Sequence, residues 1–180
     1  MKKLATSEMH RLSPEAFREA EKVPLIAVLD NVRSQHNVGA VFRTADAFCL
    51  QGVWLCGICC CPPNDEIHKT ALGAENTVDW QYFAETLDAV KALHEAGYTV
   101  FAVEQAHGSV TPEEVTRRLA TADKPKVAVI FGHEVFGVQQ NVVDASDACI
   151  EIPQFGTKHS LNVSVTAGII LYELSRQLKS

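Results

Sequence analysis

The run "KVAVIFG" (126–132) most constrains what this chain can become, because it is apolar at five successive positions with no polar alternation. A strand with one wet face alternates; one without alternation has to be covered on both faces, which is the situation of a parallel sheet sandwiched between helices. "PLIAVLD" (24–30), "GVWLCGI" (52–58), "YTVFAVE" (98–104) and "DACIEI" (147–152) have the same character. Between them the period changes. "NVGAVFRTADAFC" (37–49) places Val38, Val41, Phe42, Ala45 and Phe48 on one helical face, with Asn37 as its expected cap. "ETLDAVKALHEAG" (85–97) is amphipathic and stops at Gly97. "TPEEVTRRLA" (111–120) opens with Thr, Pro and two acids, and "LNVSVTAGIILYELSRQL" (161–178) closes the chain. "CPPNDE" reads as a loop. Strands alternating with helices predict an α/β fold, a single-domain parallel sheet with helices on both faces.

The 180 residues suffice for one core, and 47% of them are hydrophobic. The longest apolar runs are a few residues, far below the roughly 20 needed to span a bilayer, and no apolar stretch follows the basic start. The expected location is therefore the cytoplasm, with no membrane partner. A net charge of −6 argues against a uniformly basic nucleic-acid surface, though not against a local patch. Six cysteines stand at 49, 56, 59, 60, 61 and 149. Cys56 and Cys59 have the spacing of half a zinc site, but no matching second pair follows, so they are expected as small apolar residues ending a buried strand, with no metal.

Three segments lie just beyond strand ends, where open α/β sheets bind ligands. They are "DNVRSQHNVGAVFRTADAF" (30–48), "FGHEVFGV" (131–138) and "IPQFGTKHSLNVSV" (152–165). Gly132, Gly137 and Gly156 give turns with open backbone groups. The dinucleotide fingerprint, the P-loop and the serine-hydrolase elbow are all missing. His133 and Glu134 look like an acid–base pair, but neighbours on a turn point apart.

Taken in this order, the three segments resemble the three motifs of the SpoU (TrmH-like) branch of the SPOUT RNA 2′-O-ribose methyltransferases. The resemblance rests on Asn37, Gly39 and "RTADAF" in the first, "VIFGHEVFGV" in the second and "IEIPQFGTKHSLNVSVTAGIILYE" in the third, and covers residues 24–178. The family usually has Asn or Ser at the place of His133. The resemblance implies a C-terminal trefoil knot, S-adenosylmethionine as cofactor, an RNA substrate (tRNA or rRNA) and a homodimer. Residues 1–23 are then a short N-terminal extension and 24–180 the methyltransferase domain, with RNA read by that domain or by the dimer.

By matching position the resemblance also assigns roles. Cofactor contacts fall to Glu104, Gly132, Ile152, Ser160 and Leu161, and catalytic positions to Arg43, Asn37, Glu134, Ser160 and Asn162. Arg43 is the family's catalytic arginine. A guanidinium is a poor base, because its pKa exceeds about 12, so a clamp on the neighbouring phosphate and on the forming alkoxide is the more reasonable role. Asn37 could orient Arg43 or the ribose, and Glu134 could pair with Arg43. Asn162 and Ser160 could cap the last helix or order the cofactor loop. His68 and Lys69, in "EIHKTALGAENT" (66–77), fall where relatives have a substrate-side loop and are candidate RNA-phosphate contacts. Two other readings stand beside this one: a non-catalytic RNA-binding dimer, and a small α/β enzyme with a nucleotide cofactor.

Overall fold

The computed structural model describes residues 1–5 and 8–179. Six strands run in chain order: β1 (Val23–Asp30), β2 (Leu50–Cys56), β3 (Trp80–Phe83), β4 (Thr99–Val103), β5 (Val127–Phe131) and β6 (Ala148–Ile150). They form one sheet in the order β3-β2-β1-β5-β4-β6, and every pairing is parallel. The expected sandwich is present. All five residues of β5 are buried, and helices cover both faces. On one face lie α2 (Gln35–Ala47), α3 (Asp65–Ala71), α5 (Pro112–Leu119) and α7 (Val163–Leu178), packed around Val38, Phe42, Ile67, Val115 and Ile170. Phe17 of α1 (Pro14–Glu19) joins the same core, so the N-terminal extension is anchored. On the other face α4 (Thr86–Glu95) and α6 (Gln140–Ala145) contribute Ala89, Val90, Leu93 and Val142. Among the described residues no helix is long and apolar enough to cross a membrane.

Strand order decides where a ligand can sit. The first half of the chain builds outward from β1 through β2 to β3. The second half builds the other side, with β5 against β1 and then β4 and β6. Between β1 and β5 the order reverses; the loops leaving their C-terminal ends are tied together by hydrogen bonds, and the opening lies beside them, at the ends of β4, β5 and β6. Those loops are two of the three motif segments.

Several expected boundaries shift. α2 begins at Gln35, because Ser34, not Asn37, is its cap: the Ser34 hydroxyl accepts the N–H of Asn37 at 3.3 Å. Asn37 therefore lies inside the first turn, and its amide is left for another task. The end of "CPPNDE" is helical. Asn64 accepts the N–H groups of Glu66 and Ile67 and so starts α3 at Asp65. The segment around His68 and Lys69 is likewise a helix followed by a 3₁₀ turn at Ala74–Asn76, not a loop. Cys56 is buried in the core of one face and Cys59 in that of the other. Burial pushes each thiol up to about 12, as suits inert apolar thiols. Among the described residues no three His, Cys, Asp or Glu side chains converge to hold a metal ion.

Candidate active site

The C-terminal ends of β4, β5 and β6 surround a cleft of about 720 Å³. Glu104, Gly132, Glu134, Ile152, Ser160, Leu161 and Asn162 all line it, so the positions drawn from three distant segments do converge. Arg43 does not line it. Arg43 is exposed on α2, opposite the buried Val38, Val41, Phe42 and Ala45, and among the described residues its guanidinium has no hydrogen bond or ion pair.

Glu134 is occupied differently from the expected pairing with Arg43. Its Oε2 accepts the N–H of Arg33 at 3.0 Å, and its Oε1 accepts the N–H of Ser34 at 2.9 Å and the Asn37 amide at 3.0 Å. The donors belong to the entry of α2, whose first N–H groups have no partner inside the helix. Burial raises the carboxyl's pKa, but the Ser34 and Arg33 N–H groups and the Asn37 amide outweigh it and hold the group below its ordinary value. Asn37 in turn accepts from Asn162 Nδ2 at 3.3 Å, so it orients neither Arg43 nor a sugar directly. Asn162 caps α7 through Oδ1, which accepts the Ser164 N–H at 2.9 Å and its hydroxyl at 2.6 Å. A single line of hydrogen bonds, Ser164–Asn162–Asn37–Glu134–Ser34, thus joins all three segments. Sequence reading missed Ser34 and Ser164, although a Ser three residues before Asn37 and one two residues after Asn162 are ordinary helix-start signals.

The turn at 133–137 closes on itself by paired bonds, His133 N–H to Gly137 O at 3.0 Å and Gly137 N–H to His133 O at 2.8 Å. His133 Nδ1 accepts the N–H of Val135 at 3.0 Å and of Phe136 at 3.4 Å. That is the task a short polar acceptor such as Asn or Ser performs in a turn, which accounts for the departure at this position. His133 and Glu134 do point apart. Gly132 is obligatory for a separate reason: a Cβ there would collide with the backbone of Gly137 and Val138. Glu104 holds the far side of the same turn, accepting the Val138 N–H at 3.1 Å and the Gln105 N–H at 2.9 Å. Each of its oxygens keeps one lone pair for a ligand.

His68 and Lys69 lie away from the cleft, and each already faces a carboxylate. His68 Nδ1 bonds the buried Glu75, and Lys69 pairs with Glu66 one turn earlier.

Residues 24–172 match the family model described as the SpoU rRNA Methylase family. The chain is 30% identical over 171 residues to the tRNA (guanosine(18)-2′-O)-methyltransferase of Thermus thermophilus, covering 95% of this chain and 84% of that one. Its fold superposes on the TrmH/SpoU tRNA modifying enzyme of A. aeolicus with a TM-score of 0.76 at 26% identity, covering 92% and 82% of the two chains. On the AdoMet-bound rRNA methyltransferase of Sinorhizobium meliloti it superposes with a TM-score of 0.75 at 30% identity, covering 91% of this chain but 61% of that one.

Proposed function

This chain belongs to the SpoU rRNA methylase family, and we propose that it transfers a methyl group from S-adenosylmethionine to a ribose 2′-hydroxyl of tRNA or rRNA. The observation that carries the reading is the hydrogen-bonded line from Glu134 through Asn37 to Asn162, which ties the first motif segment to the two that line the cleft. The Thermus relative is named for 2′-O-methylation of a guanosine in tRNA, and the Sinorhizobium structure is that of an AdoMet-bound rRNA methyltransferase.

The residues present fit that cofactor. The cleft falls within the roughly 300–1,000 Å³ of small-molecule sites. Its lining holds three carboxylates, Glu104, Glu134 and Glu151, and among the described lining residues no Lys or Arg. Such a wall repels a nucleotide's phosphates and attracts a sulfonium cation. Gly132, Ile152, Ser160 and Leu161 line it as well, with Ile152 and Leu161 supplying apolar surface. When bound, S-adenosylmethionine supplies an electrophilic methyl group.

The chain's own side chains then divide the work. Glu134, Asn37 and Asn162 are positioning residues that keep α2, the 133–137 turn and the start of α7 in register. Arg43, left without a partner on α2, meets the RNA from outside the cleft. Its guanidinium N–H groups hold a phosphate oxygen and the ribose 2′-oxygen, and so lower the cost of charge developing there. We also infer the trefoil knot. β6 lies at the sheet edge beyond β4, yet α7 returns to pack on β1, α2 and α5. A return path threaded through the cleft loops would close the knot. A homodimer is proposed on α7, whose Val165, Ile169 and Tyr172 are exposed while Ala167, Ile170, Leu171 and Leu174 are buried. Residues 24–180 would carry the activity, 1–23 would form the extension, and the cytoplasm is where such RNA is modified.

Calorimetry with S-adenosylmethionine, followed by incubation with RNA and nucleoside analysis, tests the reading. Cofactor binding and a 2′-O-methylnucleoside are expected. Absence of binding, or methyl groups found only on bases, would overturn it.

A further inference from the structure

Two exposed groups beside the cleft have no task in the network. Phe136, which lines the cleft, is 83% exposed at the tip of the 133–137 turn. Its backbone and its ring nevertheless each have one contact. Its N–H is taken by His133 Nδ1, and its ring lies against the His133 imidazole, centroids 4.9 Å apart and planes at 36°. One side of the ring is thereby supported and the rest faces solvent. Arg33 is the second group. Its backbone N–H is tied to Glu134, its side chain is exposed, and among the described residues its guanidinium has no partner. Glu134 sits two residues before Phe136, so its carboxylate staples the segment carrying the ring to the segment carrying the cation.

We propose that Phe136 and Arg33 form a nucleotide clamp at the mouth of the cleft, the ring stacking on an unpaired RNA base and the guanidinium pairing with a phosphate. The proposal rests on the RNA methyltransferase reading and extends it to where the target nucleotide is held. A 2′-hydroxyl presented at the cleft mouth leaves its own base at the rim, and an aromatic face accepts any base, because each has a π-surface. Guanidinium meets phosphate in bidentate fashion. A ring already supported on one side by an imidazole loses less freedom on stacking than an unsupported one. An RNA base fits better than a second copy of this chain. The apolar groove on α7 is lined by Phe48, Ile152, Val165, Ile169 and Tyr172, and Phe136 is not part of it.

The test compares the wild type with Phe136→Ala, Phe136→Trp and Arg33→Ala. Affinity for unfractionated tRNA and for total rRNA is measured by filter binding across salt concentrations, alongside S-adenosylhomocysteine affinity by calorimetry and particle mass by light scattering. Phe136→Ala should weaken RNA binding about tenfold, more than any change in cofactor affinity, and Phe136→Trp should restore it. Arg33→Ala should weaken RNA binding and reduce the slope of log affinity against log salt by about one. Unchanged RNA affinity in Phe136→Ala would overturn the clamp. So would a loss that tracks conversion to monomers, since a second copy would then cover the ring. A wild type that binds neither S-adenosylhomocysteine nor RNA would instead overturn the functional reading on which the clamp depends.

Discussion

Both carboxylate oxygens of Glu134 accept donors from α2 and its approach, and this defines what a substitution there does. Glu134→Gln keeps the shape and one acceptor oxygen but turns an N–H₂ group toward at least one of the three donors. Losing charged hydrogen bonds of this kind costs about 1–3 kcal/mol, read as a lower urea midpoint. The pH dependence has a definite sign. The folded-state pKa is lowered, so the contribution is fully present above the ordinary carboxylate value of about 4.3 and disappears as pH falls through the lowered one. Glu134→Gln should therefore flatten the acid limb of the stability curve below about pH 5; an unchanged acid limb would show that this carboxylate is not linked to folding. Arg43 behaves oppositely, since its side chain is exposed and, among the described residues, has no hydrogen bond or ion pair. Arg43→Ala should leave the melting temperature and cofactor affinity almost unchanged, within about 0.5 kcal/mol, while slowing methyl transfer by 10²–10³. Arg43→Lys keeps the charge without the planar fork and should rescue little; near-normal turnover of the alanine variant would remove Arg43 from the reaction.

Helix α2, which carries Asn37 and Arg43, lies very close to α3. A Cβ at Gly39 would collide with the Ile67 carbonyl and the Thr70 hydroxyl, and that hydroxyl itself donates to the His36 carbonyl at 2.9 Å. Gly39→Ala should force the helices apart and lower stability by about 1–3 kcal/mol, with cofactor affinity falling as Asn37 shifts; a wild-type urea midpoint would contradict the close crossing. This contact also shows what could be read in advance. The apolar stripe of α2 and the bare strands were legible because burial imprints a period of 3.6 or an unbroken run. β3 was not. As an edge strand with Trp80, Gln81 and Tyr82 exposed, it carries no burial pattern. α3, seven residues long, is defined by its Asn64 cap more than by periodicity. In the site, the residue types were legible from three segments, but their partners were not. Nothing in the order of residues says that Glu134 meets the helix entry at Ser34 and not Arg43. That follows from β5 lying beside β1, a tertiary fact.

At the scale of the whole molecule the unfinished surface is α7. Its inward face is fully buried, yet Val165 (50%), Ile169 (42%) and Tyr172 (50%) form a second stripe at helical spacing, exposed in the single chain. Helices apolar on two faces are covered on both. The groove along this stripe is closed by Phe48, Pro112 and Pro153, and the Tyr172 ring lies 5.7 Å from that of Phe48. Ile152 lines this groove and the cofactor cleft alike, so covering the one should steady the other. Ile169→Asp would place a charge in the seam. An unpaired buried charge costs about 3–5 kcal/mol, and a dimer constant should weaken by 10² or more. Light scattering at micromolar concentration is expected to give twice the chain mass for the wild type and the chain mass for Ile169→Asp, together with weaker cofactor binding. Leu87→Asp is the control. Leu87 is also an exposed apolar residue, but it stands on α4 across the sheet, and its variant should remain dimeric. A wild type that is monomeric, or an Ile169→Asp variant that keeps double mass, would mean that the α7 stripe is not where two copies meet.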